Sequence, residues 1–206
     1  MNLFDEPYFK LHTENLSREQ AAVFCLAMAW RYACIKDMKI FSATAYVAYE
    51  KNLELITNEV LNGTSNTGFL KKRANILDDL IPNPEAPSTS FVFMGSHAIA
   101  ALIYTIDAMA SKEKGFDAAL QSFDGAAAVA EFFEEKENGK SFDYIVERES
   151  SRQKRDIVDV ISGNLREVIE RSKTERVFEK EEVNLFLSYQ NEGSHSQKST
   201  PPHKLH

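Results

Sequence analysis

The residues from Ala21 through Trp30 read AAVFCLAMAW, a stretch with no polar side chain on any helical face. A helix of this kind is stable in water only when neighbours surround it, so the segment must sit at the centre of something larger. Just ahead of it, Ser17-Arg18-Glu19-Gln20 fits the capping-box pattern, in which two side chains satisfy each other's orphan amide donors. A central helix from Ser17 to about Ile35 follows.

Patterns of strand period are nearly absent elsewhere, and turn signals divide the chain into about six helices without internal repeats. Ala43 to Leu61 sets Tyr46, Tyr49, Leu53, Ile56 and Val60 at three- and four-residue steps with Lys51, Glu54 and Asn58 opposite, the pattern of an amphipathic surface helix. After the loop Gly63 to Gly68, a shorter helix covers about Phe69 to Leu80. The linker Ile81-Pro-Asn-Pro-Glu-Ala-Pro87 cannot be helical, because its prolines remove amide donors and restrict the preceding residues. Ser88 to about Ala110 is the most apolar helix and the second central one. Phe116 to about Lys136 aligns Phe116, Leu120, Phe123, Ala127, Ala130 and Phe133 on one stripe and closes at Asn138-Gly139. The longest helix, Ser141 to about Lys173, is apolar at both ends and wholly polar from Glu147 to Asp156. Its polar middle offers a face to another subunit of a homo-oligomer. The expected architecture is an all-α single-domain bundle over residues 1–190, with a disordered tail over 191–206 that is rich in Ser, Gln, Lys, Pro and His.

A net charge of -7 argues against a nucleic-acid partner, since phosphate-backbone binding needs clustered Lys and Arg. The run from Phe91 to Ala110 carries Ser96, His97, Thr105 and Asp107 and is barely as long as a bilayer span, which makes it a buried core helix and not a membrane segment. Nothing at the N-terminus resembles a secretory signal, so a cytoplasmic location is expected. Cys25 and Cys34 lie nine positions apart on one helix, about 180° around it, and read as reduced core thiols that cannot pair with each other.

Candidate chemistry is sparse. Gly63 and Gly68 have phosphate-loop spacing, but Phe69 and Leu70 stand where Lys and Ser or Thr are required. No Glu-x-x-His pair suggests a metal site in a bundle, and four of the five histidines lie near the termini; no metal and no cofactor are expected. His97, Tyr104 and Asp107 are candidate lining of a ligand pocket beside the Ser88–Ala110 helix. The alternative for His97 is a core histidine hydrogen-bonded to a neighbouring helix. Ten residues apart on one helix, His97 and Asp107 are separated by about 15 Å along the axis and cannot bond to each other. Arg148, Arg152 and Arg155 share a helix face and can bind an anion or a partner. The competing reading is surface salt bridges with Glu131, Glu134, Glu135 and Glu149. No nucleophile pattern such as G-x-S-x-G is present, and catalytic residues are not identifiable.

Three stretches, AAVFCLAMAWRYA, LDDLIPNPEAPSTSFVFMGSHAIAAL and VISGNLREVIERS, resemble the YjaG-like bacterial family known as domain of unknown function 416. The resemblance spans about Leu16 to Arg176 and rests on helix order, an Ile-Pro exit from a Leu-Asp turn, and the apolar helix beyond. It implies a small, soluble, all-helical protein with an association to bacterial signalling and no activity that transfers to particular residues. That family sets a proline and an acidic residue at the start of the apolar helix where this chain has His97-Ala98-Ile99-Ala100, so a role for that acid would be missing here. The functional expectation is a non-enzymatic binding or regulatory protein whose partner is another protein. The alternatives are a small-ligand sensor or enzyme with a pocket beside the Ser88–Ala110 helix, and an acidic inhibitor of a basic protein partner.

Overall fold

A computed structural model describes residues 4–39, 42–63, 66–80, 89–110 and 114–196. The described residues are helical throughout and contain no strand. The helices are α1 Glu6–Thr13, α2 Arg18–Arg31, α3 Ala43–Asn62, α4 Thr67–Asp78, α5 Thr89–Ala110, α6 Lys114–Lys136, α7 Asp143–Ile161, α8 Leu165–Ser172 and α9 Lys180–Ser196, with a 3-10 turn over Tyr32–Lys36 after α2. The linker from Ile81 to Pro87 and the last ten residues lie outside the described set.

α2 starts at the expected capping box: Ser17 Oγ accepts from the Gln20 amide at 3.2 Å, and the Gln20 side chain accepts from the Ser17 amide at 2.8 Å. Every residue from Ala21 to Ala29 is buried, and α2 packs against α3, α5, α6, α7 and α8. α5 lies along α2 and buries Ala98, Ile99, Ala101, Leu102, Ile106 and Ala108. In α3 the five predicted apolar positions are buried and Lys51, Glu54 and Asn58 are exposed. Gly63 ends α3 in the left-handed conformation, φ 64°, as a C-capping glycine does.

Three boundaries and one buried face differ from the sequence expectation. Glu6–Thr13 forms a helix of eight residues capped by Asp5, too short for its period to stand out; it lays Phe9 against the Phe4 ring, 4.8 Å between centroids. The stretch expected as one helix to Lys173 breaks at Gly163, φ +87°, which ends α7 and resets the phase before α8. The buried face of α6 is the small-residue row Gly115, Ala118, Ala119, Ser122, Gly125 and Ala126 followed by Val129, Ala130 and Phe133; of the expected stripe Ala130 and Phe133 are buried, while Leu120 is exposed and Phe116 and Phe123 only flank the core. In the first half of α6 small residues let α5 and α7 approach closely, and that gain outweighs burying Phe116 and Phe123. Finally, Lys180–Ser196 is helical where the chain was expected to turn into a tail at Asn191, because Val183 and Phe186 dock into the core.

Candidate functional site

The polar middle of α7 turns one side into the fold and leaves Glu147 and Ser151 exposed on the other. Glu149, Gln153 and Asp156, at four- and three-residue steps, point inward and are fully buried. They meet Arg31, the last residue of α2 and itself fully buried. Arg31 grips Glu149 with Nε at 3.1 Å and Nη2 at 2.8 Å, and donates from Nη1 to Asp156 at 2.5 Å. Burial alone would lower the Arg31 pKa, and the two carboxylates override it and hold the guanidinium above its usual value. Glu149 Oε1 also accepts from Ser122 Oγ at 3.0 Å and Gln153 Nε2 at 3.2 Å. The second oxygen of Asp156 accepts from Arg171 at 2.8 Å and Arg155 at 3.3 Å. Two carboxylates around one buried cation leave a negative excess, and the half-buried Arg155 and Arg171 offset it from the rim.

Arg148, Arg152 and Arg155 share one face, as the spacing predicts, but their partners are not the α6 glutamates. Arg148 holds both oxygens of Glu182, Nη1 at 2.9 Å and Nη2 at 2.6 Å; Arg152 holds Glu179 at 3.0 Å; Arg155 holds Glu175 at 2.8 Å. The backbone joins in, with Val177 O accepting from Arg148 at 2.8 Å and Arg176 O accepting from Arg152. The segment from Glu175 to Glu182 therefore lies along the arginine row and neutralises it. Glu134 instead accepts from the Phe142 amide at 3.0 Å, closing the α6–α7 turn, and Glu149 belongs to Arg31.

The three pocket candidates on α5 have different described neighbours. His97 is buried against α6, where Gln121 Nε2 lies 2.5 Å from its Nδ1. Burial pulls its pKa down to about 4, so the ring is neutral at neutral pH. Tyr104 lies beneath the Lys114 ammonium, 5.9 Å from nitrogen to ring centroid. Asp107 is half-buried, and burial lifts its carboxyl pKa against the opposing pull of Lys114. A cleft of about 280 Å³ does border α5, lined by Arg18, Glu19, Ala22, Val60, Gly63 and Met109 and by none of the three. Cys25 and Cys34 are free buried thiols, and burial pushes Cys34 up to about 11. Among the described residues no group of three or more His, Cys, Asp or Glu can hold a metal ion, and no helix is long and apolar enough to cross a membrane.

Sequence reasoning missed Arg31, Ser122 and Gln153 as members of the buried network. The available signal was Arg31 itself, a cation ending an otherwise apolar helix that has to be buried. No family model, no curated protein and no solved structure matches this chain.

Proposed function

We propose that the protein is a non-enzymatic binding or regulatory protein that docks another protein through the outer face of α7. The observation that carries this reading is the division of α7 into two faces. Its inner face is locked by the Arg31–Glu149–Asp156 network, while Val158 and Ile161, one turn apart, stand 54% and 50% exposed. A helix fixed in orientation by buried ion pairs presents such an apolar pair already ordered, which lowers the entropy cost of association. The resemblance to the YjaG-like family adds a bacterial signalling context to this proposal. Affinity capture from a bacterial lysate at low and moderate salt tests it, with wild type and V158D/I161D as parallel baits. A protein retained by wild type and lost with the variant supports the reading. No enrichment at either salt, or equal capture by both baits, overturns it. Capture at low salt alone, unchanged by the double substitution, favours instead an acidic inhibitor steered onto a basic partner.

A second reading rests on the cleft lined by Arg18, Glu19, Ala22, Val60, Gly63 and Met109. Its place between three helices suits a small-ligand sensor. A thermal-shift screen over metabolites is the measurement: a compound that raises the midpoint of wild type and not of Met109→Trp supports it, and an unresponsive wild type argues against it.

A further inference from the structure

Half-buried and buried arginines in this fold are met by carboxylates, and among the described residues one departs from that rule. Arg31 holds Glu149 and Asp156, Arg148 holds Glu182, Arg152 holds Glu179, Arg155 holds Glu175, Arg171 holds Asp156 and Asp159, and Arg176 holds Asp37. Arg18 and Arg166 are exposed to solvent. Arg73 on α4 is half-buried and forms no ion pair with a described residue. Its one hydrogen bond to a described residue runs from Nη1 to the neutral Asn52 Oδ1 on α3, at a long 3.4 Å.

The comparison with Arg148 is close in geometry. Arg148 lies over the ring of the aromatic residue four positions earlier, Tyr144, at 5.9 Å; Arg73 lies over Phe69, also four positions earlier, at 4.9 Å. In both, Nε is buried without a hydrogen bond, so the guanidinium works from its Nη end. Arg148 spends that end on the two oxygens of Glu182, whereas Arg73 has no acid opposite it among the described residues. Lys71 and Lys72 beside it are exposed and make no ion pair with a described residue, which sets three adjacent cations on a chain of net charge -7. A stacked guanidinium whose rotamer is fixed by a ring loses little freedom when an oxyanion arrives, which is the arrangement that binding sites for carboxylates use.

We infer that Arg73 is the fork of a carboxylate-binding site where α4 meets α3, with Phe69 as its platform and Asn52 steadying Nη1. The ligand is a carboxylate from outside the chain, borne either by an acidic side chain of a partner protein or by a small dicarboxylate. The site is independent of the α7 docking face.

The test follows the Arg73 Nε–H resonance and the α4 amides by NMR at low salt during titration with succinate or with a capped Leu-Glu-Glu-Leu peptide, using sodium chloride of equal ionic strength as the control. Saturable shifts at Arg73 but not at Arg148 are expected. The α4 amides of Arg73→Gln should report binding weakened about tenfold or more, and those of Arg73→Lys a smaller loss, since a point charge replaces a fork. Succinate saturating alone identifies a free dicarboxylate; the peptide saturating, with or without succinate, identifies an acidic protein segment. Shifts that fail to saturate with both probes, or that match those of Arg73→Gln, overturn the site. If Arg73→Gln melts below the experimental temperature, the comparison rests on Arg73→Lys, whose unaltered affinity would equally overturn it.

Discussion

Gly125 and the Tyr32 hydroxyl face each other so closely that a methyl group on residue 125 would overlap Oη and come within 3.0 Å of the His97 ring. Tyr32 cannot swing away, because it is fully buried and its hydroxyl donates to Ser122 O at 3.0 Å. Gly125→Ala should therefore cost about 1–3 kcal/mol in urea unfolding, the range for overpacking a tight core. Tyr32→Phe removes the overlapping oxygen, so the double variant should be more stable than the sum of the two single losses allows. Strict additivity would show that the backbone yields at Gly125 instead.

His97 makes stability depend on acidity. In the unfolded chain it takes a proton near its ordinary value of 6.5, whereas in the fold it does so only near 4. Between those values the unfolded state binds more protons, so its contribution is fully present above pH 6.5 and is lost as pH falls toward 4, by about 3 kcal/mol. His97→Asn keeps a hydrogen-bonding group for Gln121 and cannot be protonated. Its unfolding free energy should fall less than that of wild type over this window; parallel curves would contradict the assignment.

Removing the buried cation should be severe. Arg31→Met strands two carboxylates and is expected to cost about 3–5 kcal/mol. Arg31→Met combined with Glu149→Gln should recover part of that, because a neutral amide still accepts from Ser122 and Gln153 without a charge to compensate. Chemical denaturation of the three proteins gives the comparison, and a double variant no better than Arg31→Met would place the loss in packing.

Arg148 ties α9 to α7. Arg148→Gln gives up both bonds to Glu182 and the contact with Val177 O, yet leaves Val183 and Phe186 in the core. The expected result is faster amide exchange confined to α9 and the segment before it, with α2 unaffected. Uniformly faster exchange would mean that this region opens only with the whole fold.

The helical class was legible because local signals and tertiary needs agree: the Ser17 box, the α3 period and the Asn138-Gly139 stop each act within a few residues. The errors arose where distant partners decide. Leu120 and Phe123 look like the core of α6 by hydrophobicity alone, but the first half of the helix turns its small residues inward because α5 and α7 approach there, whereas Ala130 and Phe133 farther along are buried as the stripe predicts. Arg148, Arg152 and Arg155 were correctly placed on one face, and their partners were misassigned because Glu175, Glu179 and Glu182 reach them through a turn that begins at Gly163. His97 is a histidine bonded to a neighbouring helix, as one of its two readings held, and the cleft beside Met109 is lined by residues other than His97, Tyr104 and Asp107.

The Arg31 network also bears on how the chain is made. The cation is near the beginning, its carboxylates come 118 and 125 residues later, and Arg31 O accepts from the Val177 amide. A growing chain that has emerged only as far as α6 holds an apolar helix ending in a charge with no counterion, and collapsing around it would strand that charge. An amino-terminal fragment is thus no smaller version of this protein. Synthesis must run past α8 before α2 can be enclosed, and until then α2 depends on staying in water or on a chaperone's grip.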